Sequence, residues 1–182
     1  MSEQREIIYE ERCKVLNGES MHDVIYKMIT DIVENCVDIS INDDADVEDW
    51  DFNELNNLLI PTVPLEPVTA ERVKKAKKSS LKQQLKEEAV KLYEAKEAEF
   101  PDAETIREIE RVILLKVIDR KWMAHIDDMD QMRQGIGLQA YGQKNPLVEY
   151  KMSGYDMFDE MTQNIREETV RLLFHVRIEQ KV

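Results

Sequence analysis

The sequence has few cysteines and no long apolar run. Its two cysteines, Cys13 and Cys36, stand alone, outside the paired spacings of zinc sites and redox motifs. We therefore expect two thiols that form neither a disulfide nor a metal site. The longest apolar run is far shorter than a membrane-spanning helix needs, and residues 1–6 carry too many charges for a signal peptide. These absences predict a soluble chain that stays in the cytosol.

The motifs of common enzyme classes are also missing. A phosphate-binding loop ends in Gly-Lys-Ser/Thr, and the nearest match, residues 142–144, lacks the second glycine, the hydroxyl residue and a preceding strand. No serine lies in a nucleophile-elbow pattern. His125 has Asp128 one helical turn away, which is half of a helical metal site, but the sequence lacks the matching half. We expect no bound metal and no complete enzyme in this chain.

Positive charge is scarce, with 25 Lys and Arg against 38 Asp and Glu, which gives a formal net charge of −13. This balance argues against nucleic acid as a partner. The charges are unevenly placed, because residues 42–54 are strongly acidic and residues 72–86 carry only basic charges. The latter group, here the basic patch, consists of Arg72, Lys74, Lys75, Lys77, Lys78, Lys82 and Lys86. Such a patch suits phospholipid headgroups, an acidic protein partner, or simple solvation.

What the sequence does contain is helical periodicity over residues 102–176. Apolar residues recur there at steps of three or four, which keeps them on one helix face. The first stripe is Leu115, Ile118, Trp122, Ile126, Met129, Met132 and Ile136, and the second is Leu147, Tyr150, Phe158, Met161, Ile165, Leu172 and Val176. Gly154 leaves a gap in the second stripe where two backbones can approach closely. The pattern predicts an antiparallel pair of helices.

The turn between these helices is predicted at residues 138–146. Gly135, Gly137 and Gly142 weaken helix propensity as the first limb ends. Asn145 followed by Pro146 is an N-cap followed by a favoured first helical residue. Tyr141 therefore lies in a polar turn, where its ring is available for contact.

Further helices are predicted outside this pair. They cover residues 2–17, about 20–39, 52–59, and about 69–100, with caps or stops at Asn17-Gly18, Ser20 and Asp51. Three prolines within residues 60–68 make that segment an extended crossover. No stretch alternates with a period of two, so the predicted fold class is all-α.

Residues 115–151 closely resemble the C-terminal helical region of the bacterial preprotein translocase ATPases, the SecA family. The matching residues are Trp122 with His125, Met129-Asp130, Arg133-Gln134-Gly135-Ile136, Tyr141, Gln143-Lys144, Glu149-Tyr150-Lys151, and Glu3-Gln4-Arg5 with Tyr9 and Arg12. The resemblance covers essentially the whole chain. It implies the end of a long scaffold helix at 1–17, a helical wing domain at 18–100, and a two-helix finger with the remaining scaffold helix at 101–182. The implied architecture is a long antiparallel finger packed with a smaller wing domain.

The resemblance also implies a function. In this family the finger inserts toward the mouth of the SecYEG channel, contacts the unfolded preprotein and regulates ATP hydrolysis by the motor domains. The implied fingertip contacts are Leu138, Gln139, Tyr141, Gly142, Gln143 and Lys144. Trp122 and Arg133 are candidates for contact with the motor domains of the parent chain, although Trp122 fits equally well as hairpin core. The implied location is cytoplasmic and peripheral, at the inner face of the bacterial cell membrane, with an anionic phospholipid surface as a further partner.

This chain departs from the family pattern at two tip positions, and several domains of the family are not among its residues. Gln139 and Asn145 stand where the family often has arginine and aspartate. The nucleotide-binding domains, the preprotein cross-linking domain and the zinc-binding tail are not among these residues. We therefore expect a fragment with no cofactor of its own, although the full-length family binds ATP with magnesium and often zinc.

Two other hypotheses remain open at this point. One is a stand-alone acidic helical adaptor that binds a protein partner through the basic patch, residues 72–86. The other is a helical metal hydrolase. The sequence leaves open the oligomeric state and the orientation of the finger relative to the wing.

Overall fold

The computed structural model describes residues 2–18, 20–73, 77–138 and 145–177, without the side chains of residues 137, 138 and 146. Within these ranges the regular structure is helical, and no strand occurs. The α-helices are α1 (Ser2–Leu16), α2 (Met21–Ser40), α3 (Phe52–Leu59), α4 (Ala70–Val73), α5 (Lys78–Glu97), α6 (Ala103–Leu138) and α7 (Pro146–His175). The expected all-α fold is confirmed.

The helices belong to two compact units. The first unit contains residues 1–19 and 111–165, and the second contains residues 20–110 and 166–182. The long helices α6 and α7 therefore contribute to both. None of the described helices is long and apolar enough to cross a membrane.

In the second unit, α2 packs against α3 and α5. Ser20 caps α2 by accepting a hydrogen bond from the Asp23 backbone N–H at 3.4 Å, as the capping pattern predicts. Apolar side chains then recur along one face of α2. The buried aliphatic side chains of this unit include Ile25, Ile29, Ile32, Val33, Leu55, Leu59, Leu81 and Leu85. Each contributes ~1.5–3 kcal/mol of burial free energy, so this face holds the unit together.

A partly buried charged network joins α2, α5 and α6 of the second unit, with Tyr93 and Glu110 as its buried members. The Arg107 guanidinium donates to Glu97 at 2.6 Å and to the two carboxylate oxygens of Glu110 at 2.6 and 2.9 Å. The Tyr26 hydroxyl donates to Glu97, and the Tyr93 hydroxyl donates to Glu110. Burial raises the pKa of the Glu110 carboxyl group, while hydrogen bonds from Tyr93 and Arg107 oppose that rise. Because both carboxylates have donors, the unit can hold these charges inside.

In the first unit, α6 and α7 lie antiparallel. Met129 of α6 lies against Gly154 of α7. His125, one turn earlier on α6, contacts Phe158, one turn later on α7, with ring centroids 5.8 Å apart. The contacts therefore run in opposite directions along the two helices, as predicted for a hairpin.

Helix α1 packs beside this pair, antiparallel to α6. His125 bonds to Gln4 near the start of α1. Closer to the other end of α1, Arg12 bonds to Asp119 at 3.4 Å. Gly18, which has φ of 88°, ends the segment in the left-handed conformation that the predicted Asn17-Gly18 stop requires.

The buried faces of α6 and α7 differ in part from the predicted stripes. His125 is buried, whereas Trp122 and Ile126 are half-buried. The reason is that α1 contacts α6 as well, so the buried face is centred nearer to His125. Leu147 was expected inside and is 59% exposed. Helix α1 begins at Ser2, which lines a cavity with Tyr150 and Lys151 of α7. Leu147 precedes those residues and is not covered.

The segment predicted as an extended crossover, residues 60–68, begins as a turn and ends at Val68, which one side chain holds by both backbone groups. The Asn56 amide donates to the Val68 carbonyl at 3.0 Å and accepts from the Val68 N–H at 2.8 Å. Val68 itself is buried, so its backbone groups need these partners. The Asn56 amide thus makes the two backbone hydrogen bonds that a neighbouring β-strand would otherwise make to Val68.

We expect Asn56→Ala to lower the free energy of unfolding by ~2 kcal/mol, because it leaves two buried backbone groups without partners. Asn57→Ala is the matched control, since Asn57 is an exposed residue of the same helix and its loss changes stability by no more than ~0.5 kcal/mol. Urea denaturation of both variants measures the difference. Equal stability of the two variants would contradict the bridging role of Asn56.

Candidate functional site

Three helices of the first unit meet at a buried glutamine. Gln4 of α1 is 5% exposed, and its amide nitrogen donates to the Gly154 carbonyl of α7 at 3.1 Å. Its amide oxygen lies 2.7 Å from Nε2 of His125 on α6. One side chain therefore bonds to both long helices. Gln4, His125, Met129 and Gly154 are together called the Gln4 node below.

Gly154 lies in close contact with Met129. A Cβ atom at Gly154 would lie 2.8 Å from Cε and 3.4 Å from Sδ of Met129, so the end of that side chain would have to shift. A cavity of about 250 Å³ lined by both residues leaves room for such a shift. The sequence predicted that two backbones approach closely at Gly154. That detail is wrong, because the nearest atoms belong to the side chains of Met129 and Gln4.

The charged form of His125 is disfavoured at the node. Burial lowers the pKa of its imidazole, and the nearby Asp128 opposes this only in part. Because Gln4 uses its amide nitrogen on Gly154, its oxygen faces the ring, so Nε2 of His125 carries the proton and donates. His125 is therefore a structural hydrogen-bond donor.

A small cavity lies beside His125. It is lined in part by Asp128, Glu160 and Asn164, which place oxygen atoms on both helices. Across the described ranges, however, no group of three histidine, cysteine or acidic residues is arranged to hold a metal ion. The helical metal hydrolase hypothesis therefore gains no support from this geometry.

Trp122 and Arg133 occupy different surroundings on α6. The Trp122 ring lies 5.5 Å from the His125 ring at an interplanar angle of 31°, so it packs on the Gln4 node. Arg133 is exposed and pairs with Asp130 of the same helix at 3.2 Å. Eleven residues of helix separate the two, ~16 Å along the axis. The structure does not bring them into one site.

The predicted fingertip residues Gln139, Tyr141, Gly142, Gln143 and Lys144 lie outside the described residues, and so does the side chain of Leu138. Next to this segment the structure describes an open cleft of about 850 Å³ between the facing ends of α6 and α7. Its lining is Met132, Gly135, Ile136, Asn145, Val148, Glu149, Met152, Ser153 and Asp156.

Sequence reasoning missed an exposed apolar surface beside this cleft. Leu147, Val148 and Met152 are 59%, 49% and 64% exposed. Val148 and Met152 stand four residues apart and lie off the predicted stripe, which was the available signal for a second apolar face of α7. Large exposed apolar side chains that lie together are typical of contact surfaces.

Much of the basic patch is neutralised by acids of the same unit. Lys78 pairs with Asp43 at 2.7 Å and with Asp38 at 3.2 Å, and Lys82 pairs with Asp38 at 2.7 Å. Lys86 pairs with Glu34, and Arg72 pairs with Glu88. Lys74 and Lys75 lie outside the described residues. The adaptor hypothesis needed a patch available to a partner, and these ion pairs weaken it.

The close contact between Gly154 and Met129 predicts that the two residues are coupled in stability. Gly154→Ala should raise the free energy of unfolding by well under the ~1 kcal/mol that helix propensity alone supplies, because the end of the Met129 side chain must shift to admit the added Cβ. In a Met129→Ala background the same change should raise it by ~1 kcal/mol. Gly135→Ala, at a helical position with nothing within 4 Å of the added Cβ, should be stabilising in both backgrounds. Thermal and urea unfolding of this double-mutant cycle provide the measurement.

The lowered pKa of His125 predicts a pH dependence. Below the ordinary pKa of ~6.5 the unfolded chain binds a proton that the folded imidazole resists, so stability falls as the pH decreases from 7 to 5. His125→Gln should flatten this part of the stability profile. His22→Gln, which alters an exposed histidine, should leave the profile unchanged. Urea midpoints across this pH range test the effect, and identical profiles for the two variants would exclude it.

Comparison with known proteins gives the family. The model of the SecA wing and scaffold domain matches residues 1–177. The protein translocase subunit SecA of Lachnoclostridium phytofermentans is 64% identical over 183 residues, covering 100% of this chain and 21% of that protein. The subunits of Finegoldia magna and Clostridium acetobutylicum are 45% and 44% identical, over 97% and 98% of this chain and 19% and 21% of their own lengths. The chain thus spans about a fifth of these relatives, and it belongs to the SecA family, matching its wing and scaffold domain.

Proposed function

We propose that the chain is part of a protein-translocation motor and that α6, α7 and the turn joining them form the element that engages the channel and the translocating polypeptide. The observation that carries this proposal is the antiparallel pairing of α6 and α7 in a chain of the SecA family. The relatives are named as protein translocase subunits. The same proposal assigns residues 1–17 to a scaffold helix, 18–100 to a wing domain and 101–182 to a finger with the remaining scaffold.

The dimensions of the two helices suit a lever. α6 has 36 residues and α7 has 30. At 1.5 Å per residue these helices are ~54 and ~45 Å long, longer than the core of a small domain requires. A displacement at one end of such a helix pair is transmitted along its length to a partner bound at the other end.

The surface beside the turn suits a polypeptide of variable sequence. Exposed Leu147, Val148 and Met152 offer apolar contact, and methionine adapts its shape to different side chains. The ring of Tyr141, in the adjoining turn, adds apolar area at a low cost in conformational entropy. A transporter of many unfolded preproteins needs contacts of this kind, because they do not depend on the amino-acid sequence of the preprotein.

The remaining parts of the proposal concern regulation and location. In this proposal exposed Arg133 contacts the motor domains, and Trp122, which is half-buried on the Gln4 node, acts through that node. ATP hydrolysis, magnesium and zinc belong to parts of the family outside this chain, which we infer to be non-catalytic by itself. The proposed partners are the SecYEG channel, unfolded preprotein, the motor domains and an anionic phospholipid surface, with the protein peripheral at the inner face of the bacterial membrane.

Tyr141→Ala in the full-length protein tests the proposal. We expect transport of a preprotein into SecYEG vesicles to fall about tenfold, equivalent to ~1.4 kcal/mol of lost contact. Tyr155→Ala, which removes an exposed tyrosine of α7, is the matched control and should transport normally. Helicity and melting temperature should stay at the values of the unmodified protein. Undiminished transport by Tyr141→Ala would contradict the proposed function.

A further inference from the structure

The polar contacts of α1 differ in how many of the long helices they bind. Arg12 bonds to Asp119, and the Arg111 guanidinium donates to the Val15 carbonyl at 3.2 Å. Both of these contacts join α1 to α6. Gln4 differs from both, because its one side chain reaches α6 and α7 together.

The apolar contacts around Gln4 do not fix an axial position well. Met129 lies against Gly154 and Met161 lines the cavity beside His125, and both are buried. Flexible methionine side chains fit several alignments of neighbouring helices. A hydrogen bond is directional, and a buried donor or acceptor left unpaired costs ~1–3 kcal/mol. A displacement of α1 by one turn would leave the Gln4 amide and Nε2 of His125 without their partners.

We infer that Gln4 is a positioning residue that sets the axial register of α1 against both α6 and α7. Movement of α1 is thereby passed to the two long helices as a pair. The consequence for transport rests on the proposed function, because only then does the position of the α6 and α7 pair matter to a channel. The register itself does not depend on that proposal.

A distance measurement within the first unit tests the register. Cys13 of α1 is exposed and takes a spin label, whereas Cys36 is buried and burial raises the pKa of its thiol to about 11, so it reacts poorly. A second label is introduced by Asp159→Cys at an exposed position of α7. Pulsed electron paramagnetic resonance then reports the distance between α1 and α7.

Gln4→Met keeps the length of the side chain and removes both hydrogen bonds. We expect a second distance population displaced by about one helical turn, ~5 Å. Gln4→Leu, which likewise has no donor or acceptor for Gly154 and His125, should show the same displacement if Gln4→Met proves poorly folded. Arg12→Gln is the matched control, because it removes a contact to α6 alone, and its distance should remain that of the parent chain.

The outcomes separate positioning from general stability. An unchanged distance in both Gln4 variants, or an equal shift in Arg12→Gln, would overturn the inference. In the full-length protein, Gln4→Met should lower the polypeptide transported per ATP hydrolysed several-fold, while Arg12→Gln leaves that ratio unchanged. An unchanged ratio with a shifted distance would remove the role in transport. Loss of the proposed function is seen separately, as normal transport by Tyr141→Ala.

Discussion

The first unit depends on the amide of Gln4. It supplies one donor and one acceptor, and it uses them on two different helices: the Gly154 carbonyl and the imidazole of His125. Gly154 allows this approach because it has no side chain, and His125 supports it because burial disfavours the charged form of the ring and Nε2 carries the proton. A polar group thus determines how three largely apolar helix faces fit together.

In the second unit the main constraint is electrostatic, because the chain has more acidic than basic residues. α2 presents Glu34 and Asp38 toward lysines of α5, so much of the basic patch serves the unit's own charge balance. Exposed ion pairs contribute little individually, ~0–1 kcal/mol, yet they remove the like-charge repulsion that a chain of this composition would otherwise carry. The partly buried Arg107 network applies the same principle inside the unit.

Local features of the fold could be predicted from sequence, since caps and stops act within a few residues. Ser20, Asp51 and Gly18 each mark a helix boundary where the pattern placed one. The buried face of α6 could be predicted only in part, because the sequence of one helix does not reveal how many helices pack against it. The partners of the basic patch were missed for the same reason, since α2 precedes it by some forty residues.

The residues of the proposed site also differ in whether the sequence could identify them. Tyr141 was identified through resemblance to a family, and it lies in a segment outside the described residues. Gln4 was visible in the sequence only as part of the Glu3-Gln4-Arg5 match, and nothing in helical periodicity distinguishes it from a solvated glutamine. Its importance arises from distance in space, because its bonding partners are 121 and 150 residues away in the chain. A lever built on adaptable methionine packing needs at least one directional contact to keep its register, and a buried glutamine provides it with no net charge to desolvate.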